Sequence, residues 1–241
     1  MVLATSSKIK DTVNSLPIKF KNMKLLLTSG GLTNKSIVNA FLELAGKPFN
    51  ELSLAFIPTA ANVEEGNKDW LIGDLIMLKE LGFKSVDIVD ISAVPQDIWE
   101  PRLNEADVLL FEGGNTFHLM YWVKKSGLKD LLPKLLETKV YVGISAGSMI
   151  TSHKLSLSSS EKYYSEEIGT HRDEDGLGYV SFYILPHLNS PYFPKRREEF
   201  LAEMAQEIKE PIYVIDDQSA IQVVDGKARI ISEGKYLAFN V

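Results

Sequence analysis

The chain has 241 residues, of which 45% are hydrophobic and 24% are charged, a composition typical of soluble globular proteins. The net charge is −6 and no dense stripe of lysine or arginine occurs, which argues against nucleic-acid binding because phosphates need clustered cations. The chain has no cysteine, which excludes disulfides, thiolate metal sites and a cysteine nucleophile. No apolar run approaches the ~20 residues needed to cross a bilayer.

Residues 1–22 differ from the rest of the chain. They carry four lysines and weak apolar patterning, and their short apolar stretch is below the roughly 7–15 residues of a secretory signal core. We predict that residues 1–22 form a weakly ordered N-terminal extension and that residues 23–241 form a single α/β domain.

From residue 24 onward, short apolar runs alternate with amphipathic segments that end in glycine. This pattern predicts strands at 24–31, 52–61, 85–91, 106–114 and 139–147, and helices at 34–46, 70–82 and, as one or two helices, 116–137. Continuous apolar strands separated by helices are typical of a mostly parallel sheet with helices on both faces.

The last third of the chain follows a different pattern. Residues 156–178 are polar and predicted to be irregular, and a strand at 179–187 and a helix at 197–208 follow. Residues 211–239 predict three short strands with a hairpin turn at Asp225-Gly226.

Ligands of such sheets bind at the carboxyl ends of the strands. Four candidate groups directly follow predicted strands: Gly113-Gly114-Asn115, Ser145, His187 and Asp216-Asp217. We therefore expect these groups to meet at the rim of one sheet.

The segment Gly143-Ile144-Ser145-Ala146-Gly147 matches G-x-S-x-G, the pattern of a strained strand-to-helix turn that exposes a serine hydroxyl. The N–H of Ala146 would lie at a helix N-terminus, where developing negative charge is favoured. The alternative is that these small residues only pack a strand against a helix. The pattern alone is moderately specific.

A serine nucleophile needs a base, and His187, after an apolar strand, is the best placed of the four histidines. His153 would lie about 12 Å from Ser145 along one helix. His118 falls in a predicted helix, and His171 falls in an acidic polar segment that matches no metal-binding loop.

The carboxylate that would orient the imidazole is ambiguous. Asp217 follows a predicted strand, whereas Asp175 lies in the polar segment twelve residues before His187. Asp216 is adjacent, but successive residues of an extended strand point to opposite sides.

A glycine turn in residues 111–117, FEGGNTF, offers backbone N–H groups that could complete an oxyanion hole with Ala146. The alternative is a tight turn before a helix capped by Asn115 or Thr116.

These motifs in combination resemble the peptidase E family of aspartyl dipeptidases, whose wider family includes the cyanophycinases. The resemblance covers about residues 24–230 and depends on GGNTF at 113–117, G-x-S-A-G at 143–147, Pro-His at 186–187 and an acidic-x-Ser-Ala segment at 217–220. It implies a fold like that of the class I glutamine amidotransferases, which is flavodoxin-like. It also implies a cytoplasmic serine peptidase that cleaves small peptides after an N-terminal Asp, without metal or organic cofactor.

The resemblance also implies roles for individual residues: Ser145 as nucleophile, His187 as base, Asp217 or Asp175 as the orienting acid, and Gly114 and Ala146 as oxyanion donors. Two positions depart from the family pattern. Asp217 stands where the family has a longer glutamate, and Glu112 replaces the first glycine of a triple-glycine turn, which would place a carboxylate near the site.

Selectivity for an N-terminal Asp requires a cation for the β-carboxylate of the substrate. The resemblance makes Arg196 or Arg197 the candidate, although both would equally suit an exposed helical turn paired with glutamates. Asn115 is a further candidate for substrate binding. The expected partner is a small peptide, with no nucleic acid or membrane partner, and the chain would be a monomer or a homodimer.

Three other functions fit parts of the pattern. An α/β-hydrolase esterase or lipase also uses G-x-S-x-G, but its histidine usually lies near the C-terminus, whereas 54 residues follow His187. A cyanophycinase-like enzyme would need a wider cleft. A non-catalytic relative would bind small peptides without cleaving them.

Overall fold

The computed structural model describes residues 23–155 and 175–241. The predicted N-terminal extension, His171 and most of the polar segment 156–178 lie outside the described residues. Within the described ranges, no helix has the length and apolar character needed to span a membrane.

The described chain contains a seven-stranded sheet and a three-stranded sheet. The large sheet has the order β3-β2-β4-β5-β1-β8-β9, and the small sheet has the order β10-β7-β6. The strands are β1 Lys24–Thr28, β2 Ser53–Ile57, β3 Ser85–Ile88, β4 Val108–Phe111, β5 Val140–Ile144, β6 Tyr183–Leu185, β7 Ile212–Ile215, β8 Ser219–Val224, β9 Lys227–Ser232 and β10 Tyr236–Phe239.

Helices cover both faces of the large sheet. They are α1 Lys35–Ala45, α2 Thr59–Asn62, α3 Asp69–Leu81, α4 Gln96–Glu105, α5 Thr116–Lys125, α6 Leu128–Leu135, α7 Ala146–Met149 and α8 Glu198–Glu207, with a 3₁₀ turn at Phe49–Glu51.

The sheet is buried on both faces because its strand residues alternate between two hydrophobic clusters. On β1, Leu25 and Leu27 join the cluster beneath one face and Leu26 joins the cluster beneath the other. Strands β1 to β5 pair in parallel in the order given, whereas β8 and β9 add an antiparallel edge. The predicted fold class, a mostly parallel sheet with helices on both faces, is therefore confirmed.

Local signals account for several of these boundaries. The side chain of Asn34 caps α1 by accepting a hydrogen bond from the Ile37 N–H, and Gly46 ends the helix in the left-handed conformation. The helix α4 was not expected from the sequence. It contains Pro101 and few apolar residues, so its pattern is weak.

The C-terminal third differs from the prediction in two ways. Residues 211–239 form four strands instead of three, with the expected hairpin turn at Asp225-Gly226, where both residues have positive φ. In addition, β6, β7 and β10 form a sheet of their own. The chain leaves the small sheet after β7, adds β8 and β9 to the large sheet, and returns as β10.

Candidate active site

Ser145 follows β5, which lies between β4 and β1 in the large sheet. Its backbone has φ 47° and ψ −105°, which places a non-glycine residue in a region that is rarely populated. Backbone strain of this kind costs on the order of 1–3 kcal/mol and persists only where surrounding contacts enforce it. The strained turn predicted from the G-x-S-x-G pattern is thus present in the structure.

The two glycines of the pattern allow backbones to approach closely. A Cβ on Gly143 would lie 2.6 Å from the carbonyl carbon of Gly147, and a Cβ on Gly147 would lie 2.1 Å from the carbonyl oxygen of Phe111. Both distances are far below a van der Waals contact, so only glycine fits. The short helix α7 can therefore pack directly onto β4 and β5, which holds Ser145 at the strand end.

His187 and Asp217 come from the small sheet. His187 follows β6 by two residues, and Asp217 follows the neighbouring parallel strand β7 by two residues. The carboxyl ends of β6 and β7 therefore carry the imidazole and the carboxylate side by side. The site forms where the two sheets meet, and not at the rim of one sheet as the sequence suggested.

Ser145, His187 and Asp217 form a continuous chain of polar contacts. The Nε2 atom of His187 lies 2.9 Å from the Ser145 Oγ, and its Nδ1 atom lies 2.8 Å from the Asp217 Oδ1. The ring of Phe193 stacks on the imidazole with a centroid separation of 4.5 Å and an interplanar angle of 4°. The imidazole is thus held at both nitrogens and on one face.

Ser29 is a further member of this network that the sequence analysis did not identify. Its hydroxyl lies 2.6 Å from the Asp217 Oδ1 and accepts a hydrogen bond of 2.8 Å from the backbone N–H of His187. Ser29 is fully buried directly after β1. In the sequence, Ser29 falls near the end of the strand predicted at 24–31, and nothing distinguished it from other serines near turns.

Asp217 is held in its ionised form. Burial acts to raise its pKa, but the hydrogen bond from His187, the charge of that ring and the hydrogen bond from Ser29 together bring the pKa below its ordinary value. An ionised carboxylate can hold the Nδ1–H tautomer of His187, which leaves Nε2 free to accept a proton from Ser145.

Asp175 does not take this position in the structure. Its carboxylate forms an ion pair with Lys154, and its side chain is 56% exposed. Asp216 points into the turn between β7 and β8, where its Oδ1 accepts hydrogen bonds from Ser219 Oγ and Gln218 N–H. Of the three acids considered, Asp217 is the one that contacts His187.

The glycine turn after β4 lies beside Ser145. A Cβ on Gly113 would lie 3.3 Å from the Ser145 Cβ, so this backbone and the serine are close neighbours. Gly114 has φ 123°, and a Cβ there would lie 2.3 Å from the carbonyl oxygen of Ala60. The backbone of Gly114 therefore packs against α2 in a conformation that suits glycine.

Asn115 serves as the N-cap of α5. Its side-chain oxygen accepts a hydrogen bond of 3.0 Å from the His118 N–H, and the residue is buried. Ala146 is the first residue of α7, which has only four residues, so an oxyanion at this position would depend on N–H groups more than on a long helix dipole.

Glu112 is entirely buried beside this turn and faces Asp74 of α3. Burial and the charge of Asp74 raise the pKa of Glu112 well above its usual value. The pKa of Asp74 is raised to about 6 by burial and by the charge of Asp217, against the hydrogen bond with Glu112. Burial and the neighbouring acid thus both disfavour ionisation of Glu112, the carboxyl group that the sequence placed near the site.

The two candidate arginines lie in the loop between β6 and α8. Arg196 is 1% exposed, and its backbone carbonyl accepts a hydrogen bond from the Asn189 N–H. The Nη1 of Arg197 donates to the carbonyl oxygens of Ser190 and Arg196, at 3.0 and 3.3 Å. Phe193 of the same loop stacks on His187, so both arginines belong to a segment that contacts the site.

The remaining described histidines lie outside the triad of contacts. His118 is in the first turn of α5, and His153 is an exposed residue beyond α7. Within residues 23–155 and 175–241, no group of three or more His, Asp or Glu side chains is arranged to hold a metal ion.

A model of peptidase family S51 matches residues 25–231. An uncharacterized peptidase, Lin0382 of Listeria innocua, is 31% identical over 226 residues, which covers 84% of this chain and 98% of that protein. A peptidase E of Streptomyces coelicolor is 29% identical over 133 residues, 53% of each chain.

Two solved structures have a similar fold. A crystal structure of a peptidase E candidate from Listeria monocytogenes superposes with a TM-score of 0.69 at 28% identity, and it covers 91% of this chain and 98% of its own. A peptidase from an acI-B1 actinobacterium gives a TM-score of 0.66 at 17% identity, with 93% and 95% covered. Both support the flavodoxin-like architecture.

Proposed function

Because the chain belongs to peptidase family S51, we propose that it is a serine exopeptidase that hydrolyses short peptides, in particular dipeptides with an N-terminal Asp. The observation that carries this proposal is the unbroken path from the Ser145 Oγ through the His187 imidazole to the Asp217 carboxylate, with contacts of 2.9 and 2.8 Å. These are hydrogen-bonding distances, so proton transfer needs no rearrangement of the three side chains.

In the first half-reaction, the Ser145 Oγ attacks the carbonyl carbon of the scissile peptide while His187 Nε2 takes the hydroxyl proton. The resulting imidazolium lies beside the ionised Asp217, which stabilises its positive charge. His187 then donates this proton to the departing amine, so the C–N bond breaks and the acyl group stays on Ser145 as an ester.

In the second half-reaction, water replaces the amine. His187 takes a proton from the water, whose oxygen attacks the ester carbonyl, and then returns that proton to the Ser145 Oγ as the acid product leaves. Both half-reactions pass through a tetrahedral oxyanion. We assign its stabilisation to the backbone N–H groups of Gly114 and Ala146, each of which would contribute about 2.7–4 kcal/mol.

The preference for an N-terminal Asp is the part of the proposal that rests on the resemblance. It requires a cation at the β-carboxylate of the substrate, and Arg196 and Arg197 lie in the loop whose Phe193 stacks on His187. The cytoplasmic location implied by the same resemblance stays a prediction.

A dipeptide panel tests the substrate class directly. We expect hydrolysis of Asp-Leu and little or no cleavage of Ala-Leu, Leu-Asp and isoaspartyl-Leu, measured by release of free leucine or aspartate. Cleavage of other dipeptides with Asp-Leu spared would reject the Asp preference and keep the serine mechanism.

The variant Ser145→Ala tests the mechanism in the same assay. It should lower kcat by more than about 10⁴-fold, because loss of the nucleophile removes the acyl-enzyme route. Thermal unfolding and circular dichroism should show an intact fold. Full activity in this variant would refute the serine mechanism whatever the substrate is.

A further inference from the structure

Ser29 connects the two regions that form the site. It follows β1, a central strand of the large sheet, whereas its hydrogen-bond partners Asp217 and His187 follow strands of the small sheet. We propose that Ser29 is a positioning residue for hydrolysis, whose single hydroxyl holds the orienting carboxylate and the backbone of the catalytic base at the same time. This inference rests on the proposed function.

The hydroxyl is committed to these two partners. As a donor, Ser29 Oγ gives its one proton to Asp217 Oδ1 at 2.6 Å, and as an acceptor it receives the N–H of His187 at 2.8 Å. The contact from Ser29 Oγ to His187 Nδ1 is longer, at 3.4 Å, than the 2.8 Å from that nitrogen to Asp217. The ring nitrogen therefore pairs with the carboxylate, and Ser29 acts through Asp217 and not on the substrate.

Both donors of this network converge on one carboxylate oxygen. The Oδ1 of Asp217 is close to both Ser29 Oγ and His187 Nδ1, which fixes the rotation of the carboxylate. The side chain of Asp217 is 45% exposed, so solvent alone would leave it several orientations. A buried donor on the protein side restricts it to the orientation that meets the imidazole.

The second contact acts on the backbone of the base. His187 has φ 66°, a left-handed conformation that is unfavourable for a residue with a side chain. This conformation needs enforcement from its surroundings, and the hydrogen bond from the His187 N–H to Ser29 provides it from the large sheet. Ser29 thereby helps to aim the imidazole at Ser145.

The neighbouring residue shows how closely the two regions approach. A Cβ on Gly30 would lie 3.0 Å from the Asp217 Cβ, so the glycine lets the turn after β1 come up against this residue. Asp217 is shorter than glutamate by one methylene. The close turn with its serine brings a hydrogen-bond donor to the short carboxylate.

The test compares two serine variants that each lose a 2.6 Å hydrogen bond to an aspartate. Ser29→Ala removes the bond to Asp217, and Ser219→Ala removes the bond to Asp216, which does not contact His187. Both serines are fully buried. We expect Ser29→Ala to lower kcat by about 10- to 100-fold and to change KM by less than about threefold. The loss in kcat is expected because the variant loses a hydrogen bond to a charged carboxylate. Ser219→Ala should keep kcat within about twofold of the wild type.

The free energy of unfolding is measured for both variants. If the role of Ser29 were only structural, Ser29→Ala would lower this free energy, as Ser219→Ala does, and leave kcat unchanged. If Ser29→Ala does not fold, the nearly isosteric Ser29→Cys replaces it; its weaker donor should still lower kcat severalfold. Wild-type kcat in either folded Ser29 variant overturns the inference.

The same assay separates this inference from the proposed function. If the wild type hydrolyses no peptide of the panel, or if Ser145→Ala is as active as the wild type, the proposed function fails. If the wild type is active, Ser145→Ala is inactive and Ser29→Ala is fully active, only the role of Ser29 is refuted.

Discussion

The two sheets hold their parts of the site by different means. Ser145 stands at the end of β5 in the large sheet, where close backbone contacts at Gly143 and Gly147 hold the strained turn. His187 and Asp217 follow strands of the small sheet, where side-chain hydrogen bonds and the stacked ring of Phe193 hold the imidazole.

Because of this difference, we expect changes in the two regions to affect stability and activity to different extents. Backbone packing around Ser145 is shared with the core of the large sheet, so disturbing it should lower the free energy of unfolding. The hydrogen bonds around His187 converge on the partly exposed Asp217 carboxylate, so disturbing that carboxylate should lower activity with a smaller effect on stability.

Within this comparison of the two sheets, the largest effect is expected when the hydrogen bonds on the small-sheet side are broken. Asp217→Asn should lower kcat on the order of 10⁴-fold, because an amide does not hold the required imidazole tautomer as a carboxylate does. The matched variant Asp175→Asn, which loses the charge of an exposed carboxylate paired with Lys154, should stay within about twofold of wild-type kcat. Steady-state kinetics on the best dipeptide measure both. A larger loss from Asp175→Asn than from Asp217→Asn would reverse the assignment of the orienting acid.

The next effect concerns the backbone packing of the large sheet. Gly147→Ala should destabilise the protein by at least about 2 kcal/mol, since its Cβ would meet the Phe111 carbonyl oxygen at 2.1 Å and neither backbone can move aside easily. Gly73→Ala, in the interior of α3 with nothing within 4 Å of its Cβ, should instead stabilise by about 0.5–1 kcal/mol. Urea denaturation compares the two. Equal stability of both variants would show that the close contact at Gly147 does not hold the turn.

The smallest effect concerns the buried carboxyl pair beside the glycine turn. The pKa values of Glu112 and Asp74 are raised in the folded protein, so the unfolded chain releases these protons at lower pH. As pH rises above about 4, these two carboxyl groups therefore make the free energy of unfolding smaller. This fall ends once both groups have also lost their protons in the folded protein.

Glu112→Gln tests this pH dependence, since glutamine keeps an oxygen for the Gly113 N–H but cannot ionise. Its unfolding free energy should fall less than that of the wild type between pH 5 and pH 8, by on the order of 1 kcal/mol. Denaturant titrations at both pH values measure the difference. The same fall in both proteins would contradict a raised pKa of Glu112 in the folded state.

Much of the fold follows from local patterns in the sequence. The alternation of apolar runs with glycine-ended helices predicted β1 to β5 and their parallel pairing, and the Asp225-Gly226 dipeptide predicted its hairpin. The helix α4 and the separate small sheet escaped prediction. The first has a weak apolar pattern, and the second depends on which strands pair over long sequence distances, which local propensity does not encode.

The sequence by itself determined the elements of the site: a serine between two glycines after a strand, a histidine after another, and a short list of acids. Only the tertiary structure decided that Asp217 and not Asp175 contacts the imidazole, that Ser29 connects the two sheets, and that Glu112 is buried against Asp74. The physical reason is that these contacts join residues 30 to 188 positions apart, or depend on burial, so they arise only when the packing of both sheets brings the groups together.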